Sequence, residues 1–427
     1  MNYSKLKPLH YLVFVFLLGF LGCKTKEKIK ESVYVEIPDT FFENELIKLG
    51  IDSIQDGKVL RKNVLKVTSL DVNGASKFAK DGIQSLSGIE AFINLKELYC
   101  NDNNLTALDI SKNTALIKLN CSSNELANID LSENKSLIYL NLWANKLTNV
   151  ETDENINLID FDCSVNKLTN IDLGDKPKLI KLNLRDNKLT NLEIDECIKL
   201  INLDCSASEL KELDIRKNKS LKNLNCTGNK LTHVDISQNV KLDSFYCANN
   251  QLNNLDVSKN ILLKDFSCYD NKLISLDVSN NTILKNLSCG QNQLSNLDIT
   301  KNKTLEELYI GGCKKLTKLD VSKNVKLTGL YVEECELVQL DVSKNLALKG
   351  LHCSRNKLTT LDVSKNVALE VLLCYINQIK YMDLRTNKLL QTTAFGKNKI
   401  STICVSNLNQ VKSNWGKDPT ATYKVCP

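Results

Sequence analysis

The chain has 427 residues, 42% hydrophobic and 25% charged, a balance that supports a large core and excludes an intrinsically disordered chain. Five prolines, sixteen glycines and 6% aromatics exclude collagen-like, mucin-like and proline-rich linker architectures. The net charge of +6, from 56 basic and 50 acidic residues, is dispersed by alternation of sign, so no nucleic-acid footprint forms and no nucleic-acid partner is expected.

Residues 1–22 read as a signal peptide: Lys5 and Lys7 precede an apolar run from Leu9 to Phe20, and Leu21-Gly22-Cys23 follows. A run of about a dozen apolar residues falls short of the ~20 that a spanning helix needs. Gly22 before Cys23 resembles the lipobox of bacterial lipoproteins, although Phe20 stands where that motif usually has leucine. The resemblance implies cleavage before Cys23, lipidation of that residue, attachment to the membrane through the lipid and, by analogy, the outer membrane. Loss of Lys5 and Lys7 would lower the net charge from +6 to +4. Residues 23–36, with Lys24, Lys26, Lys28 and Lys30 among acids, then form a polar tether.

Residues 37–94 are expected to form an N-terminal cap and an irregular first coil. Pro38 to Gly50 predicts a helix, with Thr40 and Glu43 at capping-box spacing, an apolar face of Phe41, Phe42, Leu46, Ile47 and Leu49, and Gly50 closing it in the left-handed conformation. Val67, Leu70, Ile83, Leu86 and Ile89 mark the leading coil.

From Leu95 the chain repeats. Leucines at 95, 116, 137 and onward to 390 are separated by thirteen intervals of 21 residues and one of 22, between Leu305 and Leu327. The unit, LxxLxCxxNxLxxLDxSxNxx, resembles the leucine-rich repeat, specifically the 21-residue bacterial class called IRREKO, over residues 95–405. The expected fold is a β-rich solenoid of about 15 coils, with the N-terminal helical cap and a C-terminal cap at 406–427. Alternation in LxLxC turns Leu98 and Cys100 inward and Tyr99 outward, as on a half-buried strand. Because Leu105-x-x-Leu108-Asp109-Ile110 nearly copies the first half, extended segments are expected on both flanks of each coil, with little convex helix.

Three columns follow from stacking. Asn103, Asn124, Asn145, Asn250 and eight others share one position, where an inward amide can bond the backbone; removing one should cost roughly 1–3 kcal/mol. Ten cysteines from Cys100 to Cys374 share an inward slot that also accepts Leu142, Leu184, Ile310, Val332 and Phe395, so they read as buried, reduced hydrophobes and not as disulfide partners or metal ligands. Cys313 and Cys335 replace the ladder Asn in successive coils and read as free thiols, Cys197 has no evident partner, and a Cys404–Cys426 bridge would hold down the C-terminal cap. Fourteen acids from Asp109 to Asp383 form a third column, whose repulsion must be offset locally, by turn N–H groups and nearby lysines, or by calcium.

Enzyme signatures are absent: there is no HExxH, Gly-x-Ser-x-Gly or GxxxxGK[ST], and no segment outside the repeat is long enough for a catalytic domain. No enzyme activity, cofactor or metal is therefore expected. Outward strand positions carry the binding candidates: Tyr309, Tyr331, His352 and Leu373 share one slot in four consecutive coils, with Tyr375 two residues on and Tyr246 and Tyr269 along the same face. Rigid exposed tyrosines suit recognition. Tyr99, Tyr139 and Trp143 form a lesser patch, with Asp160, Asp162 and Asp204 between the two. The expectation is a monomeric, membrane-anchored scaffold whose presumed concave sheet binds a protein or cell-surface ligand in adhesion or capture. Glycan capture and a calcium-stiffened structural spacer are the other readings.

Overall fold

The computed structural model describes residues 32–74 and 82–427, so the signal segment, Cys23 and most of the tether lie outside the described residues. Sixteen parallel three-residue strands, from Ser69–Asp71 to Thr392–Ala394, form one sheet in which each coil pairs with the next. Their register is that of the repeat: Leu224, Phe245 and Phe266 are successive Cα partners. One coil cannot cover its own inward leucines, so stacking builds a single continuous core running through the solenoid. Phe245 and Phe266 lie parallel in it, with ring centroids 5.8 Å apart. The extra residue of the 22-residue interval falls in the turn after Cys313, and the strands on either side, Glu307–Tyr309 and Gly329–Tyr331, still pair in register.

The N-terminal cap differs from its expected form in one detail. Helix Thr40–Lys48 is capped by Asp39, whose Oδ1 accepts N–H bonds from Phe41 and Phe42, both 3.0 Å long, and not by Thr40. Glu43 turns away from the capping-box role because its Oε1 gathers the N–H groups of Asp56, Gly57 and Lys58. Asp39 also binds the first coil, its Oδ2 accepting from Gln84 and Ser85 at 2.8 and 2.9 Å. Only Phe42 and Leu46 of the apolar face are fully buried, and Gly50 ends the helix at φ +70°. Strands Tyr34–Glu36 and Lys58–Leu60 add an antiparallel pair that the sequence did not announce.

The second flank carries little helix, as expected, and little strand pairing among the described residues. Extended pairing there is confined to a Glu151–Asp172 bridge and to the C-terminal sheet of Tyr381–Asp383, Thr402–Val405 and Thr422–Val425. Elsewhere the aspartates of this column accept an N–H within their own coil, and the backbones meet mainly where the flank begins, as where Lys146 donates its N–H to the Leu126 carbonyl. Grooves result, such as the 610 Å³ space lined by Asp130, Glu151 and Asp153. At the C-terminus, Trp415 is buried, Phe395 donates its N–H to Gly416, and Gln410 Nε2 donates to the Leu384 and Asn387 carbonyls. Cys404 and Cys426 are joined by a disulfide, with Cα atoms 5.4 Å apart.

The asparagine column is a hydrogen-bonded ladder. Asn250 donates from Nδ2 to the carbonyls of Cys226, Cys247 and Ala248, while its Oδ1 accepts from Leu231 N–H at 3.0 Å. The amide supports a sharp turn: the residue before each rung adopts φ near +55°, even at the β-branched Val165 and Ile376. Ser208, Cys313 and Cys335 occupy the rungs that lack an amide, and the Oγ of Ser208 has no partner. A second ladder went unrecognised. Asn113, Asn134, Asn155 and then Asn218 onward to Asn387 are fully buried, each donating to two carbonyls, as Asn239 does to Ile215 and Asn218. Lys176 and Cys197 interrupt this column in adjacent coils, and both are fully buried.

Candidate functional site

Thiol chemistry is closed off first. All thirteen free cysteines among the described residues are buried. Burial pushes the thiols of Cys121, Cys226 and Cys353 up to about 12, because a thiolate in the core would lose its hydration. Cys313 and Cys335 are free, their Sγ–H groups facing carbonyls of Cys289 and Ile310. A thiol reagent at pH 8 should therefore leave all thirteen unmodified in the folded protein and titrate all thirteen after denaturation. Rapid reaction of several of them without denaturant would contradict this burial.

The acidic column is neutralised one coil at a time. Asp109 accepts the Ser111 N–H at 3.0 Å, Asp256 that of Ser258 at 2.8 Å, and Asp341 that of Ser343 at 2.8 Å. The backbone N–H of Ser111, aided by its hydroxyl, holds Asp109 below the usual carboxylate range. At Asp298 the Thr300 hydroxyl leads and its N–H follows, and the Arg216 guanidinium brings Asp214 to about 2. Among the described residues no cluster of three or more Cys, His, Asp or Glu side chains converges as metal ligands would. Depressed folded-state values contribute stability that is present above the unfolded value of about 3.9 and is lost as pH falls through the folded values. Melting temperature should thus hold steady from pH 7 to 5 and drop progressively below pH 4. A flat profile down to pH 2 would refute the stabilising role of these turns.

The sheet's outer face gathers some of the expected contact residues and separates others. Tyr309, Tyr331, His352 and Leu373 are successive Cα partners on adjacent strands. The Tyr309 and Tyr331 rings stack at 4.2 Å with planes 4° apart, and the His352 ring lies 6.1 Å from that of Tyr375. Tyr246 stands three coils away, with Ser267 and Ser288 between it and Tyr309, and Tyr269 lies one row further along the strand direction. Tyr309, Tyr246 and Tyr269 are exposed; the others are half-buried. The acids between the two aromatic patches are already engaged, Asp162 with Ser164 and Asn183, and Asp204 with Ser206 and Asn225.

Sequence reasoning missed the carboxylates beside the stack. Glu307 Oε1 accepts from Thr328 Oγ1 at 2.8 Å, and its Oε2 accepts from the Tyr309 hydroxyl at 3.4 Å. Glu333 Oε2 lies 3.5 Å from His352 Nδ1, and no donor satisfies that oxygen. Burial, followed by the neighbouring Tyr331 and Glu307, pushes the Tyr309 hydroxyl well above its ordinary value. Both carboxylates rest over glycines: a Cβ at Gly329 would meet Glu307 Oε2 at 1.9 Å, and one at Gly311 would meet the Glu333 carboxyl carbon at 2.5 Å. Glycine at the strand position 329, where it is otherwise weak, and at 311 just past a strand was the available signal.

No protein-family model matches the sequence, and no curated protein matches it. Among solved structures, the functional domain of InlJ from Listeria monocytogenes, which includes a cysteine ladder, is 33% identical, with a TM-score of 0.79 over 87% of this chain and 82% of that one. A leucine-rich repeat protein of Leptospira interrogans is 23% identical, with a TM-score of 0.58 over 79% of this chain and 86% of that one. A plant peptide hormone receptor, RGFR1 in complex with RGF2, is 21% identical, with a TM-score of 0.64 over 74% of this chain and 57% of that one. At the identities of these last two, the likeness is one of fold.

Proposed function

The chain belongs to the leucine-rich repeat proteins, and from that membership we propose that it is a non-enzymatic scaffold that binds a protein partner on the outer face of its parallel sheet. The observation that carries the reading is the in-register row Tyr309, Tyr331, His352 and Leu373, a band of aromatic and apolar surface held on a rigid sheet. Strand pairing on both sides fixes the backbone, so binding there orders little that was free and loses little entropy. Large aromatic rings supply contact area with few rotamers to freeze. The RGFR1 complex shows a ligand held by a protein of this fold, which supports the same use here.

We also propose attachment to the membrane through lipidated Cys23, with the solenoid displayed at the outer membrane for adhesion or capture. The support is the Leu21-Gly22-Cys23 sequence after a short apolar run. A mass spectrum of the mature N-terminus carrying diacylglycerol on Cys23 is expected; an unlipidated terminus overturns the anchor.

The decisive test is crosslinking capture from intact cells with the Tyr309→Ala/Tyr331→Ala double variant as control. The wild type should retain a protease-sensitive partner and the variant should lose it, at unchanged melting temperature. Equal capture by both proteins would remove the binding role from this face. Capture competed by free sugar would transfer the same surface to glycans.

A further inference from the structure

We propose that the Tyr309–Tyr331 stack, with Glu307 and Glu333 on its two sides, is a receptor for an arginine side chain presented by the protein partner. This rests on the reading of the sheet face as a binding surface and names the chemistry of what it holds. The argument begins with charge. In the same coils, Glu306 is paired with Lys285 at 3.3 Å, Glu334 with Arg355 at 3.4 Å and Glu336 with Lys357, and in a later coil Glu370 is paired with Lys349 at 3.9 Å. Glu307 and Glu333 stand apart from this neutralised background. Among the described residues neither lies within ion-pair distance of a lysine or arginine, and the one ion-pair contact of Glu333 is His352.

The surroundings maintain that unpaired state. Glu307 is held by a threonine hydroxyl and a tyrosine hydroxyl, which orient a carboxylate without cancelling its charge. Glu333 Oε2 is buried without a donor, and the side chain remains 34% exposed, so the carboxylate can be approached from solvent. Gly329 and Gly311 seat the two carboxylates low against the sheet, so the tyrosine rings stand clear between them. Tyr309 is 40% exposed, and the strand beside it carries only Ser288 in the facing position, leaving one ring face open.

A planar cation matches this arrangement. Guanidinium lies flat on a tyrosine ring, attracted by its negative face, and donates two parallel N–H bonds to a carboxylate at its edge. An ammonium supplies the charge without the stacking plane or the fork. Neighbouring rows set the limits of the site: toward Tyr246 the facing residues are serines, and beyond His352 the row ends in Leu373 and Ala394.

The test uses the full chain and a fluorescent tri-arginine amide read by anisotropy, with tri-citrulline amide as its uncharged isostere. Wild type should bind tri-arginine at low salt and tri-citrulline at least tenfold more weakly. Glu307→Gln and Glu333→Gln should each weaken tri-arginine binding about tenfold, and Tyr309→Leu by more, at unchanged melting temperature. Glu306→Gln, a variant of a neutralised acid in the same coil, should bind as wild type. Unchanged binding in Glu307→Gln and Glu333→Gln, equal loss in Glu306→Gln, or equal affinity for tri-citrulline each overturns the proposal. In crosslinking capture, loss by the double tyrosine variant with full retention by Glu307→Gln/Glu333→Gln would leave the sheet as the binding face and remove only the arginine. Retention by the double tyrosine variant would remove the underlying reading itself.

Discussion

Replacing Asn250 with leucine should lower the unfolding free energy by about 1–3 kcal/mol, the cost of one unsatisfied buried backbone group, since the Leu231 N–H bonds this amide alone. Leucine shares asparagine's heavy-atom branching but is bulkier and has no polar atoms, so the loss of hydrogen bonds is joined by some overpacking. The Leu231 N–H and the Cys226 carbonyl lie in other coils, and the amide is what joins them to this turn. Left behind in a dry turn, the Leu231 N–H has no other partner, while the Cys226 carbonyl keeps the amide of Asn229. The residue before the rung, Asn249, is in the left-handed region at φ +52°, so the same change also releases a turn that the amide stabilises. Because coils contact only their neighbours, the damage should appear as an early transition of the coils around 226–271 ahead of the rest. Urea denaturation read by circular dichroism, with hydrogen exchange to locate the opening, checks this. A loss below about 1 kcal/mol would mean that the ladder is decoration, a result the tolerated Ser208 rung makes worth seeking.

The second large effect is a gain. Lys176→Asn combined with Cys197→Asn should raise stability by about 2–4 kcal/mol, because a buried ammonium carries a desolvation penalty of several kcal/mol that its single carbonyl partner does not repay. Lys176 is fully buried in the second asparagine column, and its Nζ donates to the Leu173 carbonyl. That carbonyl is the one the amide of an asparagine at 197 would take, as Asn218 takes that of Ile194. The lysine thus stands in for the missing amide of Cys197. Two asparagines would restore both rungs and remove the charge.

Burial holds the Lys176 ammonium below its ordinary value of 10.5. When the folded-state value of a lysine is depressed, the unfolded chain binds more protons between the two values, so stability rises with pH across that window. Wild type should therefore gain stability relative to the double variant as pH climbs from the folded value toward 10.5. A difference between the two proteins that stays constant with pH would remove the charged lysine from the account.

The two asparagine columns divide what was legible in the chain from what was not. The 21-residue spacing, the inward cysteine slot and the first ladder were all readable, because stacking identical coils converts a sequence period into a spatial column. The second ladder was visible as a recurrent asparagine, yet its role was not, since nothing along one coil reveals which carbonyls of the preceding coil lie within reach. The capping-box expectation at Thr40 failed for a related reason: a distant loop, Asp56 to Lys58, claimed Glu43.

By itself the sequence determined the repeat, the core, the turn chemistry and the row of outward aromatics, all of which depend on contacts within one coil or at a constant offset to the next. Tertiary structure alone decided which flank closes into a sheet, which tyrosines meet, and that Glu307 and Glu333, among the described residues, remain without a lysine or arginine partner while their neighbours find one. The physical reason is that side-chain pairing across coils depends on reach and on the space a facing glycine leaves, and neither quantity is periodic in the sequence.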